Sequence, residues 1–401
     1  MSEILEGIRV IELSNFIAAP CCGKNLADWG AEVIKVEPLT GDIVRILGPQ
    51  YHSPATEDEN PMFELENGNK KSVAIDTKDP RGRQLLVDLI GTADVFLTNV
   101  REKSLQKDGL DYASLSKLYP RLIVAQILGY GEKGPIKDRP AFDYTAYFAR
   151  GGIAWSMQEK DTSPSNTVAA LGDHYAGAQL AGGIAAALYN RVKTGKGDRV
   201  TTSLFQTAVY GMGIMITTAQ YGNKMPISRK QPNSPVANFY RCSDGMWIQL
   251  AMLQYDKGVA ALSKALEMPE LLENPKFCSF EAVLQNVEEL VRVLDSKFST
   301  KTRDEWEQIL EAADVPYERI QTCEDILEDP QVWANDYVQR VTYRNGNTGI
   351  LTNTPIFFES MPRLDYKLSS KIGEDTDSVL SELMGISRQD IDALHNSGII
   401  R

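Results

Sequence analysis

Cysteine and histidine are scarce in this chain of 401 residues, at five and three. The cysteines, Cys21, Cys22, Cys242, Cys278 and Cys323, are odd in number and show no C-x-x-C spacing. That argues against a disulfide framework and for reduced thiols in a cytoplasmic protein. The adjacent Cys21-Cys22 pair near a helix start reads as two small buried residues. His52, His174 and His395 form no metal-ligand spacing, so no metal site is expected. Positive charge is short as well. With 42 Lys and Arg against 54 Asp and Glu the net charge is −12, which argues against a nucleic-acid partner. Any anionic ligand must then be met by a local cluster of cations. Long apolar runs are missing, since the stretch 176–189 is short and Gly-rich, and no membrane partner is expected. Met1-Ser2-Glu3-Ile4-Leu5-Glu6 has neither a basic patch nor an apolar core, so no signal peptide is expected. The turn after the first strand, residues 14–20, lacks G-x-G-x-x-G. A nicotinamide-binding reading, which Glu37 at the end of the second strand would invite, is weakened accordingly.

What is present reads as alternating strands and helices. Strands are expected at 8–13, 32–37, 73–75, 94–97, 122–127 and 199–204, with helices after Pro20 and over 80–90. Strands and helices at this spacing predict an α/β fold, with a doubly wound, Rossmann-like large domain. Its ligands would sit at the carboxyl ends of the strands. A Pro- and Asn-rich connection at 230–235 opens a different region. There, strands at 239–242 and 246–250 flank Ser243-Asp244-Gly245, a hairpin signal, and helical patterns follow from 255 to 313. The expected organisation is a large domain over 1–225, a smaller α+β domain over 226–330, and a return to the large domain over 331–401. There is no internal repeat.

Ala169-Ala170-Leu171-Gly172-Asp173-His174 places one carboxylate at the start of a helix built from small residues, with Gly177, Gly182 and Gly183 among them. Such a helix lets another backbone or a bulky ligand approach closely. The helix dipole and free N–H groups would favour an ionised Asp173, available as an oxygen nucleophile. Taken alone, Asp173 reads as an N-cap. The rest of the chain reverses that preference.

Seven words occur in one order: 7–13 (Gly-Ile-Arg-Val-Ile-Glu-Leu), 31–37 (Ala-Glu-Val-Ile-Lys-Val-Glu), Asn69-Lys70-Lys71-Ser72, Ala93-Asp94-Val95 before Asn99, Gly129-Tyr130-Gly131, Leu171-Gly172-Asp173, and Thr194-Gly195-Lys196-Gly197. Together they resemble the class III CoA-transferase family over essentially the whole chain. Residues 15–20, Lys133-Gly134-Pro135, 142–146 and 333–337 are similar to one sub-group. That sub-group moves CoA between enoyl-CoA thioesters and 2-hydroxy acids in anaerobic amino-acid fermentation. The resemblance implies transfer from a donor such as isocaprenoyl-CoA to an (R)-2-hydroxy acid such as 2-hydroxyisocaproate, in leucine catabolism. Coenzyme A would be the cosubstrate, with no metal.

The resemblance further implies an interlocked homodimer and a nucleophile at Asp173. That carboxylate would pass through acyl-aspartyl anhydrides and an aspartyl-CoA thioester. Gly172 and the helix start after it are candidate oxyanion donors. CoA contacts carried over by position are Ile17, Ala18, Ile75, Lys78, Asn99, Val100, Arg101, Lys107, Arg139, Phe142 and Asp143. Lys78, Arg101 and Lys107 are cations near strand ends that could meet phosphates, and each reads equally well as part of a solvated face. The chain departs from the oxalate and formate type. Ile17 replaces a Gln, Pro38 replaces an Arg, and a run of four glycines is absent. These changes favour an apolar acyl chain over a small dicarboxylate. Two alternatives remain. A 2-methylacyl-CoA racemase-like isomerase would need a histidine where Phe142 stands. A non-catalytic CoA-binding protein would tolerate loss of Asp173.

Overall fold

The computed structural model describes residues 3–401. Six parallel strands form its main sheet: β1 (Arg9–Leu13), β2 (Glu32–Glu37), β3 (Lys71–Ala74), β4 (Val95–Thr98), β5 (Ile123–Leu128) and β6 (Arg199–Ser203). Their spatial order is β3-β2-β1-β4-β5-β6. This is the doubly wound order whose direction reverses between β1 and β4, where such sheets bind ligands. Val10, Ile11, Val33, Ile34, Val95, Phe96 and Ile123 are all buried. Apolar residues on both faces of a strand are what a sheet covered on both sides requires.

Helix α1 (Ala18–Asp28) follows β1, α2 (Pro61–Asn67) precedes β3, and α3 (Pro80–Ile90) and α4 (Glu102–Asp108) flank β4. The small-residue helix is α5 (Leu171–Thr194). Its close-packing partner is α1. A Cβ added at Gly177 would come within 2.6 Å of the Ala18 carbonyl oxygen and 3.0 Å of Cys21 Cβ. Gly177 is therefore where two helix backbones touch. Cys21 is buried in that contact and Cys22 is buried next to it in the chain, and burial pushes both thiols up from their ordinary range. They behave as small apolar residues, as their position suggested.

The main sheet has a buried ionic layer. Lys35 Nζ lies 3.2 Å from Glu12 and 2.9 Å from Asp42, and Lys70 Nζ lies 2.9 Å from Glu12. Glu37 accepts two hydrogen bonds from Arg45 and one from Ser72 Oγ. Those bonds consume the acidic group that a dinucleotide fold would offer to ribose.

The described chain packs as two compact units. The first runs up to Ile153 and adds Thr167–Ile216 and Trp333–Arg401. The second comprises Ala154–Asn166 and Thr217–Val332. The short segment 154–166 thus belongs with the second unit, which nothing in its composition announced. In the first unit Val379, Leu380, Ile391 and Ile400 of the C-terminal segment pack with Leu86, Leu89 and Ile90 of α3. It also carries a hairpin, β10 (Val338–Thr342) and β11 (Thr348–Thr352).

The second unit is α+β. Strands β7 (Phe239–Arg241), β8 (Trp247–Leu250) and β9 (Tyr317–Arg319) form an antiparallel sheet. Between β7 and β8 the Asp244 carboxylate accepts the Met246 N–H, and Gly245 takes φ +84°. The core gathers Tyr240, Phe298 and Trp306, with the Trp306 indole donating to the Phe298 carbonyl at 2.8 Å.

Candidate active site

Two loops meet where the main sheet reverses direction. The Asn15 N–H donates to Asn99 Oδ1 at 3.1 Å, and Asn99 Nδ2 donates to the Asn15 carbonyl at 2.6 Å. This reciprocal pair joins the end of β1 to the end of β4. A cavity of about 780 Å³ opens beside it. Ala18, Asn99, Val100, Arg101, Arg139, Phe142 and Asp173 line it, so seven of the expected site residues converge there. Ile75 lines a second cavity of about 210 Å³, which shares Asn15 and Val100 with the first. Ile17, Lys78, Lys107 and Asp143 line neither cavity. Lys78 and Lys107 are exposed, Lys107 on the last turn of α4, which is the solvated-face alternative.

Asp173 is not the N-cap of α5. Ala170 holds that position in the left-handed region at φ 64°, and Asp173 lies in the first turn. Capping comes from outside the helix, through Asp143, whose Oδ1 accepts the Gly172 N–H at 3.0 Å. The Ala170 N–H points to the same carboxylate. Gly172 is glycine because of this approach. A Cβ there would sit 2.2 Å from the Tyr147 ring and 2.4 Å from Asp143 Oδ1. Two expectations are corrected. The Gly172 N–H is already committed to Asp143 and is not free to hold an oxyanion. Asp143 is a buried capping residue, not a wall of the cavity.

Electrostatics at Asp173 also differ from the expectation of a carboxylate ionised by its helix. Burial raises its pKa from an ordinary 3.8 to about 7, and the Asp143 and Glu66 carboxylates add to this, while His174 opposes it. Desolvation and like charge outweigh the helix N-terminus here. Asp143 rises to about 6, again by burial, with the Gly172 and Ala170 N–H groups holding it down. Its Oδ2 is buried without a hydrogen-bond partner among the described residues. Two acids, both raised well above the ordinary carboxylate range, share one helix start.

Some neighbours carried no sequence signal. His174 Nε2 and Glu66 Oε1 are 2.6 Å apart, and Glu66 is buried on α2. Burial opposes the imidazolium, but the Glu66 bond and the Asp173 and Asp143 charges raise the His174 pKa overall. Cys21 joins this pair, with one potential ligand atom from each residue within 4.8 Å of the others. The linear spacing of the histidines did not foretell such a cluster. Burial and the nearby Glu66 carboxylate hold the Cys21 thiol well above its ordinary range. A neutral thiol beside a made ion pair is a poor metal ligand. Lys133, Lys137 and Arg199 line the cavity with Arg101 and Arg139. Arg199 is paired with Glu102 and Glu132. The other four have no ion-pair partner among the described residues, and they supply the cation cluster that an acidic chain needs for an anionic ligand. Lys133 lay within a quoted motif; Arg199 and Lys137 had no signal.

The sequence model of CoA-transferase family III matches residues 5–376. The chain is 53% identical to the (R)-2-hydroxy-4-methylpentanoate CoA-transferase of Clostridioides difficile, over 99% of this chain and 100% of that one. It is 44% identical to the cinnamoyl-CoA:phenyllactate CoA-transferase of Clostridium sporogenes, over 98% and 96%. A crystal structure of a CaiB/BaiF family protein from Brucella suis superposes with a TM-score of 0.83 at 30% identity, covering 96% of this chain and 100% of that one. With a parallel sheet reversing between β1 and β4, a carboxylate in the crevice and this kinship over its length, the chain belongs to CoA-transferase family III.

Proposed function

We propose that this protein transfers CoA from an enoyl-CoA such as isocaprenoyl-CoA to a free (R)-2-hydroxy acid such as 2-hydroxyisocaproate. The observation that carries the reading is Asp173 in one cavity with cations that have no ion-pair partner among the described residues. In its ionised form Asp173 attacks the thioester carbonyl; the C–S bond breaks and CoA leaves as the thiolate. The thiolate then attacks the aspartyl carbonyl of the mixed anhydride, releasing the donor acid and leaving an aspartyl-CoA thioester. The acceptor's carboxylate attacks that thioester, giving a second anhydride and free thiolate. Attack of the thiolate on the acceptor carbonyl forms the new acyl-CoA and returns the Asp173 carboxylate. Each step exchanges acyl groups of similar reactivity, so no ATP is required.

Arg101, Lys133, Lys137 and Arg139 would receive the CoA phosphates. Asn99, Val100 and Ala18 would line its path, with Ile75 in the adjoining cavity. We assign the reaction to amino-acid fermentation, leucine breakdown in particular, in the cytoplasm. The working form is a homodimer, and catalysis uses no metal. No helix among the described residues is long and apolar enough to cross a membrane. The test is Asp173→Ala. It should abolish exchange between an acyl-CoA and a free 2-hydroxy acid while the protein still binds CoA. Exchange above trace level would refute the nucleophile.

A further inference from the structure

The cavity holds an aromatic pair, Phe142, which was expected among the CoA contacts, and Phe16, which was not. Phe16 follows β1, and Phe142 precedes the π-helical turn Asp143–Ala149. Their rings meet edge to face, with centroids 5.4 Å apart and planes at 85°. Both line the cavity with Asp173, and they keep 38% and 50% of their surface exposed. Phe142 directly precedes Asp143, whose carboxylate accepts the N–H of Gly172, the residue before Asp173.

Phe16 is held there against its own preference. Its φ of 63° lies in the left-handed region, which a bulky side chain adopts only when its surroundings hold it there. Buried contacts impose that conformation. The Phe16 N–H donates to Asp42 Oδ1 at 3.3 Å, and Asp42 is paired with buried Lys35 at 2.9 Å. On the other side Asn15 is clasped by Asn99. The result of this holding is a benzyl group turned onto Phe142.

We infer that Phe16 and Phe142 form the acyl-selecting wall of the site. The wall favours branched or aromatic apolar 2-hydroxy acids over short or dicarboxylic ones. The inference rests on the CoA-transfer reading above and narrows its substrate class. An apolar side chain placed against two rings is removed from water, which favours its binding. A second carboxylate in the same place would lose hydration against ring faces that carry no donor.

The test compares wild type, Phe16→Gly and Phe142→Ala. Each is assayed with one acyl-CoA donor against a branched six-carbon 2-hydroxy acid, lactate and malate. Glycine adopts φ near +63° freely, so Phe16→Gly removes the ring without adding strain. The second variant acts from a separate loop. Near-ultraviolet circular dichroism and thermal unfolding verify that each is folded. The expected result is a fall of about tenfold or more in the kcat/KM ratio of branched acid to lactate. The same fall is expected in the ratio to malate. Ratios staying within about threefold of wild type in both variants would overturn the wall. Wild-type transfer with such unmoved ratios sinks this inference alone. Absence of wild-type transfer to any of the acids sinks the CoA-transfer reading along with it.

Discussion

The Asp143 carboxylate accepts the Gly172 N–H at 3.0 Å, one residue before Asp173. The group that anchors the helix start is therefore also an acid whose charge acts on Asp173. That arrangement couples where Asp173 sits to when it ionises.

Removing the charge while keeping the cap separates the two effects. Asn at position 143 can still accept from Gly172, but it no longer repels the Asp173 carboxylate. Asp143→Asn should lower the pH at which acyl transfer is half-maximal from near 7, while keeping it above the ordinary carboxylate range because burial is the larger cause. A pH profile of kcat/KM for the acyl-CoA measures this. An upward shift, or none, would count against the coupling.

Closeness at Gly172 leaves no room for a methyl group. Gly172→Ala would push a Cβ into the Tyr147 ring and Asp143 Oδ1, at 2.2 and 2.4 Å. The cost should be about 1–3 kcal/mol of stability, typical of overpacking. Thermal unfolding reports the stability, and turnover should fall further because the helix start that aims Asp173 must shift. Activity and stability both within error of wild type would contradict the geometry.

Linkage gives a third prediction. Because the folded-state pKa of Asp173 is raised from 3.8 to about 7, its neutral form stabilises the fold at low pH. That contribution is fully present below about pH 3.8 and is lost as pH rises through 7. Asp143, raised to about 6, adds an effect of the same sign. Asp173→Asn removes the first penalty. At pH 8 it should be more stable than wild type by on the order of 1 kcal/mol, discounted for partial exposure, with the gain shrinking toward pH 4. Urea titrations at the two pH values decide it. A variant less stable at pH 8 would show that Asp173 is held by favourable charge instead.

The racemase alternative makes a different prediction for isotope exchange. Phe142 cannot take a proton, and His174 is engaged by Glu66 at 2.6 Å. Incubation of a 2-methylacyl-CoA in deuterated water should therefore leave its α-position unlabelled. Deuterium uptake independent of CoA transfer would revive the isomerase.

Much of the fold was legible because buried parallel strands are written as Val and Ile runs between helix signals. All six strands of the main sheet lie within two residues of where the pattern put them at each end. The helix start that carries Asp173 was legible from Leu171-Gly172-Asp173 and from the small residues after it, of which Gly177 makes the close contact with α1. The surroundings of Asp173 were not. Asp143 reaches Gly172 across 29 residues, and Glu66 reaches His174 across 108. No local period encodes such pairs. Lys78 and Lys107 took the solvated-face alternative that the sequence also allowed. Their positions follow strand ends, but both are exposed and line neither cavity. Phe16 was hidden for another reason. Its left-handed backbone is imposed by Asp42 and Lys35, not by its own residue type.

Covalent acylation of Asp173 is the central claim, and trapping tests it most directly. Protein turning over acyl-CoA and a 2-hydroxy acid is quenched with hydroxylamine, digested and mapped by mass spectrometry. The prediction is a hydroxamate at Asp173 and at no other carboxylate. Modification of Asp143, Glu66 or another acid in its place, or none under turnover, would contradict the account.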